Sequence, residues 1–341
     1  MSSARGRAAP ALVWSHAHGA LDVAVPRVMA IVNVTPDSFF DGGNLVPPDR
    51  DDPNVSVAVR LCRAYVKQGA DILDVGGEST RPGSAPVDPQ VELRRVLPVL
   101  RGLFADAALA GVPISVDTRR AVVAREAVAA GAAIINDVSG LADPDMARVA
   151  ADTGAGLVIG HLRGEPATMM RAIHFERLLP EIAGELARAV ERALRAGVAG
   201  DKIAVDPGIG FGKTIEQSAA LVGASHYLMR ETGCPVVIGA SRKAFLGAIG
   251  LPGPAARTRP VEERLIPSIA AAVVAAGTGA AVIRVHDVGP TAEALRVARA
   301  IRDATADALV EAGAQDDPAW HDPLYGPAGP CEGEEGERRA W

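Results

Sequence analysis

Asp117, Asn136 and Asp206 each close a short apolar run. A carboxylate set beside an amide can read the N–H and NH2 edge of a heterocycle. A second group, Arg242, Lys243, Arg284 and His286, follows the last two apolar runs. That group suits an anion such as phosphate or diphosphate. Asn33 closes the first run, and its amide oxygen could ligate a hard cation such as Mg2+, which keeps most of its waters and shares the anion's oxygens. The chemistry implied is that of a heterocycle joined to a phosphorylated leaving group. Carboxylates would favour positive charge developing on the ring side, and cations would favour negative charge departing on the other.

Taken singly, each residue has a plainer reading. A strand-end Asp often caps a turn or helix, and Asp117-Thr118 and Asp206-Pro207 could both do so. Arg242 and Lys243 could begin a solvated helix, although cations are disfavoured at that end. His161 reads as structural, and Asp74 as a partner for a neighbouring loop. The chemical reading rests on polar groups standing at nearly every run end at once. Gly208-Ile-Gly-Phe-Gly-Lys-Thr214 resembles a Walker A loop, but Pro207 stands where that motif needs Gly. It reads instead as a tight loop whose glycines admit close backbone approach, with Phe211 covering an aromatic substrate.

Eight β-type runs position these residues: 28–34, 71–75, 113–117, 133–136, 157–160, 203–206, 236–239 and 281–285. They are continuously apolar, the mark of strands covered on both faces of a parallel sheet. Helical patterns follow at 56–68, 88–104, 119–130, 144–152, 174–196 (read as the longest), 214–231, 261–276 and 291–312. Gly69, Gly131, Gly197, Gly233 and Gly277 stand just past helix ends. Eight alternating units predict an α/β fold, a (β/α)8 TIM barrel with its active site at the C-terminal ends of the strands. A doubly wound open sheet would need a crevice motif that is absent. Barrel closure would set Asn33 beside the last strand.

Residues 1–25 read as a lead-in with a hairpin over 14–25, residues 26–312 as the barrel, and 313–341 as an acidic, disordered tail. With 341 residues, 48% hydrophobic and a net charge of −6, the chain has a large core and no basic field for nucleic acid. Three cysteines without metal spacing fit a reducing compartment. No signal peptide or membrane span is read, so the expected location is the cytoplasm.

The segments Asn33–Phe39, Asp74–Gly83, Ser115–Thr118, Ile135–Asp137, Asp206–Lys213, Ser241–Lys243 and Arg284–Asp287 closely resemble bacterial dihydropteroate synthase. The resemblance runs in order from about 28 to 300. It implies condensation of (7,8-dihydropterin-6-yl)methyl diphosphate with 4-aminobenzoate, in a cytoplasmic homodimer that uses Mg2+ and is the target of sulfonamides. It implies that Asp117, Asn136, Asp206 and Lys243 hold the pterin, and that Asn33 sits at the Mg2+–diphosphate. Arg81, Arg284 and His286 would face the diphosphate, and Thr80 would touch substrate. Phe211 and Lys243 would border the 4-aminobenzoate pocket, under loops carrying Asp37, Phe39 and Pro82. Asp117, Lys243, Arg284 and His286 would be the catalytic set. Gly160 departs from a frequent Met, implying a looser pterin floor, and Ala244 replaces a frequent Ser. The alternatives are a methyltetrahydrofolate-dependent methyltransferase, which does not need the anion cluster, and a non-catalytic pterin binder, which would not need Asn33, Arg81 or Arg284.

Overall fold

A computed structural model describes residues 12–36, 45–46, 52–79, 83–165, 167–171, 173–251 and 258–313. Strands β1 (Val13–His16) and β2 (Gly19–Asp22) form an antiparallel hairpin. Eight parallel strands follow: β3 (Arg27–Asn33), β4 (Ile72–Gly76), β5 (Ile114–Asp117), β6 (Ile134–Asp137), β7 (Gly156–Gly160), β8 (Ile203–Asp206), β9 (Val237–Ile238) and β10 (Val282–Val285). Their order is β8-β7-β6-β5-β4-β3-β10-β9, and a parallel bridge from Val205 to Val236 joins the two ends. The sheet is therefore a (β/α)8 barrel, with β3 paired between β4 and β10.

Helices α1 (Val55–Gln68), α2 (Pro89–Phe104), α3 (Ala121–Ala129), α4 (Met146–Thr153) and α5 (Leu178–Arg195) cover the first strands. Then come α6 (Ile215–Val222), α7 (Ser225–Thr232), α8 (Ala244–Ala248), α9 (Leu265–Gly277) and α10 (Val288–Glu311). Asp88 caps α2 by accepting from the Gln90 N–H, with Pro89 in the first turn. The helical pattern at 214–231 is in fact two helices. A Thr214–Gln217 capping box starts α6, and the chain breaks at Gly223-Ala224 before α7. Among the described residues the longest helix is α10, with 24 residues, not the one at 174–196. It begins earlier than its pattern because Pro290 lies in the first turn, where no N–H is needed. The short helix α8 follows Lys243 without a sequence signal.

Alternate strand residues enter the barrel. At its lower end Met29, Ile72, Ile134, Val158, Ala204, Val237 and Val282 form a core of their own with Trp14. Val28, Ala30, Leu73, Val75, Ile135, Leu157 and Ile283 pack instead in the core beneath the helices. The hairpin closes the lower end: Trp14 is fully buried, its Nε1–H donates to Lys202 O at 3.0 Å, and the Ala17 N–H donates to Ala133 O at 3.1 Å. Cys62 and Cys234 are buried. Among the described residues no helix is long and apolar enough to cross a membrane.

Candidate active site

Two positions above the apolar floor, the inward side chains become polar. Arg284 on β10 donates from Nε to Asp74 Oδ2 and from Nη2 to Asp117 Oδ2, both at 2.6 Å. Asn136 Nδ2 donates to the same Asp74 Oδ2 at 3.1 Å. Asp117 and Asn136 are register partners on β5 and β6. Gly76 makes room for this, since a Cβ there would lie 3.3 Å from the Asp117 Cβ. Asp74 is not a loop partner, as its sequence suggested, but the fully buried centre of the group. Its Oδ1, and the Oγ of its register neighbour Ser115, have no hydrogen-bond partner. Arg284 likewise does not stand apart with the other cations: two carboxylates hold it. Burial pushes Asp117 up to about 7; Arg284 opposes the rise, and the Asp74, Glu92 and Glu78 carboxylates reinforce it. Burial opposes the Arg284 cation, but Asp74 and Asp117 outweigh that and hold its proton more firmly than usual.

Asp206 ends β8 and accepts from the Gly208 N–H through Oδ1 at 2.7 Å. The loop beyond winds through positive φ at Gly208 (+66°), Gly210 (+78°) and Gly212 (+60°), which glycine tolerates. This brings Ile209 O under the Lys243 Nζ, which donates to it, and sets the Phe211 ring centroid 4.3 Å from that Nζ. Burial lowers Lys243 to about 8, and Asp206 opposes the fall. Asp206, Phe211 and Lys243 thus form one wall.

His286 and Ser241 meet on the next side. Ser241 Oγ accepts from the His286 N–H at 3.2 Å and lies 3.1 Å from Nδ1. Arg242 leaves the expected anion cluster. Its φ of +57° turns the side chain away, and its guanidinium binds Asp287 in fork geometry at 2.7 and 2.6 Å and Val261 O at 2.9 Å. Asn33 ends β3 half-buried, and its side chain makes no hydrogen bond among the described residues. No cluster of three or more His, Cys, Asp or Glu side chains suited to a metal occurs among them. A single free amide oxygen still fits Mg2+ bound mainly by substrate oxygens and water.

Asp37, Phe39, Thr80, Arg81 and Pro82 lie outside the described residues. The flanks of the segment carrying the last three are described, and their clamp escaped sequence reading. Glu78 accepts from Arg119 Nε at 2.9 Å, Arg120 Nη2 at 2.8 Å and the Val87 N–H at 2.8 Å. Arg120 also donates to the buried Glu92 at 2.5 Å. Burial of Glu78 would raise its carboxyl, but Arg119 and Arg120 outweigh it and keep the group low, whereas burial raises Glu92. Gly160 does not leave a loose floor, because a Cβ there would lie 2.7 Å from Val138 Cα and backbone already fills the space. Ala244 is exposed at the start of α8.

Known proteins match this chain over most of its length. Residues 29–286 match the family described as pterin binding enzyme. The chain is 40% identical over 280 residues to the dihydropteroate synthase of Escherichia coli K12, covering 82% of this chain and 93% of that one. It is similar to the Yersinia pestis dihydropteroate synthase solved as a sulfonamide drug complex, with TM-score 0.76 and 37% identity, covering 85% of this chain and 99% of that one. It is also similar to the Xanthomonas albilineans enzyme solved with 4-aminobenzoic acid, with TM-score 0.74 and 39% identity, covering 86% and 98%.

Proposed function

The chain belongs to the pterin-binding enzymes and, within them, to the dihydropteroate synthases, and on that premise we propose how its side chains divide the reaction. It condenses (7,8-dihydropterin-6-yl)methyl diphosphate with 4-aminobenzoate, giving 7,8-dihydropteroate and diphosphate. The observation that carries the division is Arg284 spanning Asp74 and Asp117, with Asp206, Lys243 and Phe211 on the adjoining wall.

Asp117, Asn136 and Asp206 hold the donor edge of the pterin, and Lys243 supplies a donor to its acceptor edge. The C–O bond to the diphosphate breaks first, and the electron pair leaves with the diphosphate. The buried carboxylates favour the pterin methylene cation left behind. Arg284 and His286, with Arg81, face the departing charge. Asn33 would hold Mg2+ there, which would supply charge neutralisation when bound. The neutral amine of 4-aminobenzoate then forms the C–N bond and releases one proton to water, so no strong general base is required. Phe211 and the Lys243 stem border the aromatic acid. Thr80, Pro82, Asp37 and Phe39, which lie outside the described residues, are assigned to substrate contact by the family resemblance alone.

A second copy of the chain docks against α9 and α10. Those helices pack together and leave Ile266, Val274, Val297 and Ile301 exposed, an apolar surface of the kind a partner covers. The cytoplasm, a reducing compartment that suits cysteines without metal or disulfide spacing, is the proposed location. The test of the function is diphosphate release that requires both substrates, with a sulfonamide competing against 4-aminobenzoate. Release with the pterin substrate alone, or inhibition indifferent to 4-aminobenzoate, would refute it.

A further inference from the structure

Lys213 is a buried lysine with no part in the reaction described above. It is 2% exposed, and its Nζ lies 2.9 Å from His161 Nδ1 and 3.2 Å from His161 O. His161 Nε2 in turn lies 3.0 Å from Glu185 Oε2 on α5. Arg163 grips the same carboxylate and stacks its guanidinium 4.0 Å from the Phe175 ring centroid. Burial lowers His161 to about 4, so its ring is neutral at physiological pH. The bonds then assign one tautomer: Nε2–H donates to Glu185, and Nδ1 accepts from Lys213.

This chain of contacts runs beneath the loop that carries Phe211. The loop begins at Gly208, where a Cβ would lie 1.9 Å from His161 O and 3.2 Å from the Lys213 Nζ. It ends at Lys213 itself. Lys213 therefore reaches back under its own loop and ties the last residue to the strand end against which the first residue packs. From above, Lys243 donates to Ile209 O. Phe211 is held between these ties by its N–H bond to Gly208 O at 3.0 Å.

We propose that Lys213 is the positioning residue of the arylamine pocket, fixing the height and tilt of Phe211 through His161 and Glu185. This rests on the assignment of Phe211 to the 4-aminobenzoate side. Of the groups assigned to the pterin edge, Asp117 and Asn136 stand on β5 and β6 and Asp206 ends β8 ahead of the loop, and the Lys213 Nζ bonds none of them but only His161, so the two substrates should respond differently. A purely structural lysine would lower everything together.

The experiment compares Lys213→Met and Glu185→Gln with the full-length enzyme. Lys213→Met should raise KM for 4-aminobenzoate about tenfold through misplacement of the ring, while kcat and KM for the pterin diphosphate move less than about twofold. Hydrogen exchange of the amides from Gly208 to Lys213 should quicken. Equal losses in both KM values, or an unchanged KM for 4-aminobenzoate, would overturn the proposal. Glu185 is partly exposed, so Glu185→Gln tests the same tie should Lys213→Met not fold, and should give a smaller rise of the same selectivity. Wild-type enzyme lacking diphosphate release dependent on both substrates would refute the functional assignment instead. Exchange over the loop would still decide whether Lys213 holds it.

Discussion

Arg284 Nε and Asp74 Oδ2 lie 2.6 Å apart although 210 residues separate them. Their strands, β10 and β4, are not neighbours: β3 lies between them, so the guanidinium reaches across one strand inside the barrel. The pair ties the first and last thirds of the chain together at the level where substrates must bind. Asp74→Asn should destabilise the fold by about 3 kcal/mol, the lower end for breaking a buried ion pair, because Asp117 still accompanies Arg284. Urea unfolding measures it, and an unchanged midpoint would show that Asp117 alone satisfies the cation.

Arg284→Ala removes the one cation shared by both carboxylates and the site of the departing diphosphate. Turnover should fall about 10²- to 10³-fold, or about 3–4 kcal/mol, the range for loss of a charge-stabilising donor. Steady-state kinetics with both substrates saturating gives the number. Normal turnover would remove Arg284 from the catalytic set.

Burial holds Asp117 up to about 7, so below that pH the free enzyme carries it protonated and loses an acceptor for the pterin edge. The ratio kcat/KM for the pterin diphosphate should therefore rise with pH through about 7. Glu92→Gln, which removes a nearby carboxylate, should move the inflection downward. Stability runs the other way. A carboxyl raised on folding contributes most below its unfolded value, here near 3.8, and that contribution is lost as pH climbs through about 7. A flat kcat/KM profile from pH 6 to 8 would contradict the assignment.

The strands were legible because a barrel buries both faces of each, leaving runs such as Ile203–Val205 unbroken by polar residues. The same continuity hides the inward alternation, so polar groups stand out only where runs end. Asp117 and Asp206 sit at strand ends and stand out there, whereas Asp74 lies two residues before Gly76 and reads from sequence as a partner for a neighbouring loop. Its inward position follows from counting by twos from Ile72, which belongs to the lower core. Arg242 failed differently. Residue type suggested an anion ligand, but a left-handed backbone conformation, invisible in composition, aims it at Asp287. His161 reads as structural from the sequence, and its tie to Lys213 joins two loops that sequence order keeps 52 residues apart.

That aim makes Arg242 separable from its neighbours. Arg242→Lys keeps the charge but cannot reproduce the fork on Asp287 together with the bond to Val261 O. It should cost about 1–3 kcal/mol of stability through lost hydrogen bonds. Product inhibition by diphosphate should stay unchanged, whereas His286→Ala should weaken it. Weaker diphosphate inhibition in Arg242→Lys would return Arg242 to the anion site.

Trp14 lies at the other end of the barrel from all of these groups. It is fully buried among Met29, Ile72 and Ile134, and its indole N–H is satisfied by Lys202 O. Each of these strands bears its polar site residues farther along, so the hairpin supports the floor without reaching the substrates. Trp14→Ala should cost about 3–5 kcal/mol, since the emptied volume lies between strands that cannot collapse without breaking barrel register. Urea unfolding should show the loss, while kcat for the enzyme still folded at low temperature stays within about twofold of wild type. A fall in kcat at full folding would mean that the lower core sets the spacing of Asp74 and Asn136, each two residues above a side chain that packs on Trp14. The hairpin would then belong to the active-site scaffold and not merely to the barrel's stability.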